Sequence, residues 1–267
     1  MSKVKTSESN GRIIYDGPST LDGAPIVVIA IGFGTGSSNR KTGDMIQTYI
    51  IRRDLAPIAA AQSGADSSVC GTCVHRGVIV SDQAGATRNV GRTCYVNLGQ
   101  GATSVYNTYL RGGYPVWDDN AEPHLTKGRI VRLGTYGDPA AVPVQVWTSL
   151  LMGASGHTGY THQWRNPNIK PLQRYCMASA DTPEESRTAQ SQGWRTFRVS
   201  LNSERDGLRK GEVLCPASAE AGKKLTCAQC RACDGTASSR RGSVYIPAHG
   251  GFAVMANIKK RDAALAA

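Results

Sequence analysis

Short apolar runs recur along this chain and predict strands that alternate with helices. Residues 26–31 form a continuous, β-branched run bounded by glycine, which predicts a strand buried on both faces. Further runs predict strands at residues 45–51, 129–133, 159–164, 175–180 and 194–201. Helices are predicted at residues 55–62, 100–111, 143–151 and 182–193. The last of these begins with Thr182, Pro183 and Glu185, which are typical of a capped helix N-terminus.

Strands that alternate with helices predict an α/β fold with a mainly parallel sheet, closed partly or completely into a β/α barrel. The predicted boundaries are a disordered tail at residues 1–11, an α/β barrel-like domain at residues 12–205, a cysteine-rich metal-binding module at residues 206–250 and a basic tail at residues 251–267. A composition with 40% hydrophobic and 19% charged residues fits a globular chain of this kind.

No apolar run approaches the ~20 residues that a membrane-spanning helix needs, so we expect no membrane partner. The polar N-terminus shows no secretory signal, and a cytoplasmic location is therefore expected. In the cytoplasm cysteines are kept reduced and remain available for metals.

The net charge of +11 makes nucleic acid the first expected partner, with plain solubility as the alternative. Arg195 and Arg198, Arg240 and Arg241, and residues 259–261 are candidate phosphate contacts, and a solvated charged face is the alternative interpretation. Aromatic residues make up only 6% of the chain, so composition does not indicate a stacking platform for single strands.

Half of the eight cysteines fall within nineteen residues, at Cys215, Cys227, Cys230 and Cys233. Thiolates are soft ligands, and such clustering is typical of a metal site. The Cys-x2-Cys-x2-Cys spacing and the proline after Cys215 are also found in ferredoxins, which favours a 4Fe-4S cluster. Zinc is the alternative metal, and a disulfide framework is a third interpretation.

Cys70, Cys73 and Cys94 form a second group of candidate metal ligands. Three thiolates leave one coordination position open, which a catalytic metal needs for substrate or cofactor. Alternatively, His75 or Cys176 completes a closed zinc site. Cys176 itself lies among apolar neighbours in a predicted strand, which favours a buried structural thiol.

Asp138 and His162 lie at or just past the ends of predicted strands and are the candidate catalytic residues. Capping of the next helix is an equal alternative for Asp138. Asp181 also follows a strand, where a turn or cap role is favoured over a role in the site. The sequence contains no Ser–His–Asp order and no His-Glu-x-x-His motif, which disfavours hydrolases.

Several motifs occur in a recognisable series: Cys-x2-Cys, Cys-Tyr-Val, Arg-Leu-Gly-Thr-Tyr-Gly-Asp-Pro, Gly-Tyr-Thr-His-Gln-Trp-Arg, Cys-Met-Ala-Ser-Ala-Asp, then Cys-Pro with Cys-x2-Cys-x2-Cys. From about residue 65 to 250 the series resembles phage and plasmid proteins of unknown function related to mycobacteriophage "gene product 88".

A more distant resemblance is to radical S-adenosylmethionine enzymes. It implies a first cluster on Cys70, Cys73 and Cys94 at a barrel mouth and an auxiliary cluster between Cys215 and Cys233. The spacing differs, because that superfamily uses Cys-x3-Cys-x2-Cys, whereas twenty residues separate Cys73 from Cys94 here.

Two functional hypotheses follow. The first is a phage or plasmid iron–sulfur protein acting on nucleic acid or a nucleotide, with S-adenosylmethionine as a further candidate cofactor. The second is a zinc-stabilised, non-catalytic nucleic-acid-binding protein of a mobile element.

Overall fold

Two five-stranded sheets and a small hairpin form the framework of the chain. The computed structural model describes residues 9–37, 39–200, 207–238, 242–248, 256–260 and 263. The strands in that part are β1 (Gly11–Pro18), β2 (Pro25–Ile31), β3 (Met45–Arg52), β4 (Val78–Ser81), β5 (Thr87–Val90), β6 (Ile130–Tyr136), β7 (Gly156–Thr158), β8 (Tyr160–Thr161), β9 (Met177–Ala180), β10 (Thr196–Ser200), β11 (Glu212–Leu214) and β12 (Ser243–Pro247). The α-helices are α1 (Pro57–Ser63), α2 (Ser67–Cys70), α3 (Thr103–Leu110), α4 (Val144–Leu150), α5 (Pro183–Ser191) and α6 (Cys227–Cys230).

The first sheet has the order β1-β2-β3-β6-β7 and is mixed. Its first three strands pair antiparallel, whereas β3, β6 and β7 pair parallel. The α/β prediction is confirmed, but the antiparallel part was not predicted. Its reason is local: the connection between β1 and β2 is too short for a crossover helix, so the two strands form a hairpin.

The second sheet has the order β11-β12-β10-β9-β8, and all its strands are parallel. Only Gly159 separates β7 in the first sheet from β8 in the second, so one extended segment joins the two sheets. A Cβ atom at Gly159 would lie 2.7 Å from the Cys176 sulfur, which explains the need for glycine at this crossing. The described residues show no closed barrel.

The apolar pattern located the buried strands well. Residues 26–30 of β2 are fully buried, and all five belong to the main apolar core. The predicted strands at residues 45–51, 129–133 and 175–180 correspond to β3, β6 and β9.

The cysteine-rich segment is integrated into the second sheet. Its strands β11 and β12 pair with each other, and β12 also pairs with β10. The tail predicted at residues 1–11 and the basic tail at residues 251–267 lie mostly outside the described residues. No helix in the described part combines the length and apolar character needed to cross a membrane.

Parallel pairing brings the carboxyl ends of β3, β6, β8 and β9 to one edge. The loops after these strands carry most of the candidate site residues. The other end of β3 faces the cysteine-rich segment, where the Cys227 N–H donates to the Lys41 carbonyl at 3.0 Å. Because β3 has eight residues, its two ends lie about 23 Å apart at about 3.3 Å per residue. The two cysteine groups are therefore associated with opposite ends of this strand.

Candidate metal centre

All eight cysteines are described, and none forms a disulfide. The disulfide framework that the clustering allowed is therefore absent from the structure. The cysteines divide into two groups and one buried core thiol, Cys176, which is fully buried against the main core. The structure confirms the prediction of a buried thiol at Cys176.

Cys70, Cys73 and Cys94, here called the strand-edge thiols, lie in the same part of the fold although twenty residues separate the last two. Cys70 ends α2, and the Cys73 N–H donates to its carbonyl at 3.3 Å. The intervening residues form the β4–β5 hairpin, which returns the chain to its starting point. There the N–H groups of Thr93 and Cys94 both donate to the His75 carbonyl, at 3.1 and 3.0 Å. The long sequence spacing is thus a short distance in space.

The strand-edge thiols are close enough for their charges to interact. Burial raises the pKa of Cys70, and the neighbouring thiolates of Cys73 and Cys94 raise it further. Burial also raises the pKa of Cys94, against the opposing charge of Arg92. The thiols of Cys70 and Cys94 are therefore held mainly protonated without metal, and a bound metal would displace those protons.

Unsatisfied polar groups surround these thiols. The Tyr136 hydroxyl is buried and has no hydrogen-bond partner among the described residues. Both terminal nitrogens of Arg92 are likewise buried without a hydrogen-bond partner there. Burial and the Cys70 thiolate together raise the pKa of Tyr136 well above its usual value. The charge of Arg92 is partly balanced by Asp66, whose carboxylate lies 3.5 Å from it. Buried donors without partners are costly, so their concentration beside the thiols indicates a place for a bound group.

His75, His162 and Asp181, here called the imidazole–carboxylate cluster, lie beside the strand-edge thiols. Nε2 of His75 is 2.9 Å from one Asp181 oxygen, and Nε2 of His162 is 3.4 Å from the other. The Cys73 sulfur is 3.9 Å from Nε2 of His162. In the described part of the chain, these are the three His, Cys, Asp or Glu side chains whose ligand atoms all lie within 4.8 Å of one another.

The charges of the side chains in this cluster influence one another strongly. Burial disfavours the imidazolium of His162, but the Cys73 thiolate and the Asp181 carboxylate outweigh it and raise the pKa of His162 well above its usual value. Burial likewise opposes ionisation of Asp181, yet hydrogen bonds from His162 and His75 hold its pKa far below the usual value. Asp181 therefore stays ionised and gives the cluster a permanent negative charge.

Asp138 supports the site through the backbone. Its carboxylate accepts the N–H groups of Ala140 at 2.9 Å and His162 at 2.8 Å. The first bond caps the short 3₁₀ helix Pro139–Ala141, whereas the capping interpretation assigned Asp138 to the helix that begins near Pro143, whose N-cap is Pro143 itself. The second fixes the start of the loop that carries His162. Burial raises the pKa of Asp138. Catalytic roles for Asp138 and His162 remain predictions.

The four-cysteine segment, Cys215 with Cys227, Cys230 and Cys233, forms the second group. Helix α6 is a single turn with a capping box, and it places Cys227 and Cys230 three residues apart on one face. Arg231 then adopts a left-handed conformation, φ 53°, that turns the chain toward Cys233.

Charge interactions again show that these thiols are neighbours. Burial, together with the thiolates of the other three cysteines, raises the pKa of Cys233 to about 12 against an opposing hydrogen bond from Tyr160. No three cysteine sulfurs of the described chain lie within 4.8 Å of one another.

Two candidate phosphate contacts are excluded. Arg195 forms an ion pair with Asp234 at 2.7 Å, and Arg198 forms one with Glu212 at 2.7 Å. Both arginines are buried and cannot contact a polyanion. The prediction was wrong because the sequence alone does not distinguish a strand arginine that pairs with a buried acidic residue from one that is exposed to solvent. Arg240, Arg241 and residue 261 lie outside the described residues.

The sequence pattern missed some of the site residues and gave too little weight to others. Asp181 was assigned mainly to a turn, although its place directly after a strand was a usable signal. Arg92 and Tyr136 carried no signal, because nothing in their local sequence relates them to the cysteines. His75, rather than Cys176, lies beside Cys73.

Comparisons of the chain with protein-family models, with curated proteins and with solved structures find no match. The resemblance to phage and plasmid proteins, and the distant one to radical S-adenosylmethionine enzymes, therefore remain hypotheses that rest on the sequence.

Proposed function

We propose that the chain is an iron–sulfur protein with an open cluster site on the strand-edge thiols and a closed one on the four-cysteine segment. One observation carries the proposal. Three thiols from both sides of a hairpin lie near the carboxyl edge of parallel strands, close to the Tyr136 hydroxyl and the Arg92 terminal nitrogens, which have no hydrogen-bond partner among the described residues.

The polar groups beside the thiols support a cluster over a single zinc ion. A cluster spreads its ligands around several iron atoms and accepts hydrogen bonds at its sulfurs, for which Arg92 and Tyr136 have N–H and O–H groups available.

The fold supports the same proposal at a finer level. We infer that the two sheets form an open β/α barrel, because parallel strands continue from β3 through the segment at Gly159 to β12. The strand-edge thiols then occupy the barrel mouth, the usual place for reactive groups in this architecture. With three protein thiolates, one iron position is left for substrate or for a cofactor such as S-adenosylmethionine.

The proposed substrate is a nucleic acid or nucleotide of a phage- or plasmid-carrying cell, in a reducing cytoplasm. The support is the net charge of +11, which attracts polyanions at long range. Binding of duplex and single-stranded oligonucleotides should weaken steeply as salt rises, because lysines and arginines displace the counterions of phosphates. Binding that is absent, or insensitive to salt, contradicts the nucleic-acid part alone.

Anaerobic purification tests the metal. The expected protein is brown, absorbs near ~400 nm and contains iron and acid-labile sulfide. Cys94→Ser should remove about half of both, and Cys230→Ser should remove the other half, each leaving one cluster. Cys176→Ser is the matched control and should retain all the iron, because that thiol lies in the apolar core. A colourless protein with stoichiometric zinc would overturn the proposal.

The second candidate is a zinc-stabilised, non-catalytic nucleic-acid-binding protein. It is favoured by the four-cysteine segment, whose four thiols complete a site without outside ligands and whose flanking strands belong to the second sheet. Zinc that persists in the Cys94→Ser variant and disappears in Cys230→Ser, with no iron or sulfide in either, supports this candidate.

A further inference from the structure

The imidazole–carboxylate cluster has the dimensions of a site for one metal ion. Metal–ligand bonds of about 2.0–2.2 Å place the ligand atoms of a tetrahedral site about 3.4 Å apart. The observed separations from the Asp181 oxygens are 2.9 Å to His75 and 3.4 Å to His162. These side chains come from three loops at one strand edge, so their convergence is a property of the fold and not of local sequence.

We propose that His75, His162 and Asp181 bind one divalent transition-metal ion, separate from the thiolate-bound metals. Two imidazoles and one carboxylate favour Zn²⁺, Fe²⁺ or Co²⁺ over Mg²⁺ and Ca²⁺, which prefer oxygen ligands. Three protein ligands leave further positions for water or substrate. The side chains are 11–21% exposed, so the site is enclosed but reachable.

Surrounding hydrogen bonds hold the ligands in a binding-competent orientation. Nδ1 of His75 lies 2.8 Å from the Thr93 hydroxyl. When Nδ1 carries the ring proton, it donates to Thr93 and Nε2 keeps its lone pair for the metal. The backbone N–H of Asp181 donates to Glu185 at 2.7 Å, which fixes the loop after β9.

The ion would lie beside the strand-edge thiols, because the Cys73 sulfur is only 3.9 Å from the His162 nitrogen. No cysteine is needed as a ligand, however, so the site does not depend on the iron–sulfur proposal. The two sites would place a Lewis-acidic ion and a thiolate-bound metal around one opening at the barrel edge.

Co²⁺ titration of the full-length, reduced, metal-free protein tests the site. We expect one equivalent of Co²⁺ whose visible absorption has no sulfur-to-cobalt charge-transfer band, in addition to any thiolate-bound ion. His162→Ala and Asp181→Asn should both abolish that equivalent. His124→Ala is the matched control, because His124 is exposed and its ring bonds the Ala121 carbonyl, away from the cluster.

Thr93→Val gives a sharper test, since it removes only the hydroxyl that orients His75. Loss of such a supporting bond should weaken Co²⁺ binding about 10- to 100-fold while leaving one equivalent. Thr87→Val, at an exposed strand position, should leave the affinity unchanged.

Two results would overturn the inference. One is an unchanged cobalt equivalent in both His162→Ala and Asp181→Asn, with folding checked by circular dichroism. The other is disappearance of that equivalent in Cys70→Ser/Cys94→Ser, which would assign the ion to the thiols. Iron and sulfide are measured separately in anaerobically isolated protein, so failure of this site and failure of the cluster proposal give different results.

Discussion

Arg195 anchors the four-cysteine segment to the second sheet, and its removal should have a large effect. The guanidinium donates five hydrogen bonds, to the carboxylate of Asp234 and to the carbonyls of Gly235, Ala232 and Gly242. Distances run from 2.6 to 3.0 Å, and the ion pair is about nine-tenths buried. Arg195 thereby fixes the backbone on both sides of Cys233 before any metal binds.

Arg195→Met keeps much of the side-chain volume but removes the charge and all five donors. Removing one partner of a buried ion pair costs about 3–5 kcal/mol, because the remaining polar groups lose their partner without regaining water. With a urea m-value of about 3 kcal/mol/M for a chain of this size, the unfolding midpoint should fall by about 1–1.7 M. Such a loss is a large part of the about 5–15 kcal/mol that stabilises a typical protein.

The assay is urea unfolding followed by tryptophan fluorescence, since the neighbouring Trp194 is buried. If the segment detaches before global unfolding, alkylation of Cys233 in metal-free protein should accelerate strongly. Arg187→Met is the matched control. Its ion pair with Glu184 is exposed on α5, so its loss should leave the unfolding midpoint unchanged. A midpoint shift below about 0.3 M with an unchanged m-value and unchanged alkylation would refute the anchoring role.

Two further predictions concern stability. Burial opposes ionisation of Glu212, but its bonds with Arg198 outweigh this and hold its pKa below the usual 4.5. The pair therefore stabilises the fold above pH 4.5 and loses that contribution as the pH falls through the lowered pKa. In Glu212→Gln the free energy of unfolding should therefore decrease less steeply toward acid pH than in the wild type. An unchanged acid dependence contradicts this. Thr182 caps α5 through the Glu185 N–H at 3.1 Å, and Thr182→Ala should cost about 1 kcal/mol in urea unfolding, whereas Thr182→Ser should cost little.

The fold was most predictable where burial dominates the local pattern. Strand β2 is apolar at every position because both of its faces are covered, and its run could not be mistaken for a loop. Strand β1 carries only a few apolar residues and lies at a sheet edge, so its pattern was weak. Strands β11 and β12 are short and lie within a segment whose cysteines and glycines hide their periodicity.

The site was predictable as a set of residue types and not as a geometry. The candidate cysteines could be singled out because they are grouped in the sequence, as metal ligands commonly are. The pairing of His75 with Asp181 spans 106 positions, and no local sequence pattern relates the two residues. The same holds for Tyr136, which ends β6 and lies close enough to Cys70 and Cys94 for their charges to affect it.

We propose that the strand-edge thiols hold an iron–sulfur cluster of their own. The most direct test is the iron and sulfide content of the Cys227→Ser/Cys230→Ser variant, isolated anaerobically, in which the four-cysteine segment cannot complete a site. We expect about four iron and four sulfide per chain, lost when Cys94→Ser is added. Folded variant protein without iron and sulfide, or with one zinc in their place, would contradict it.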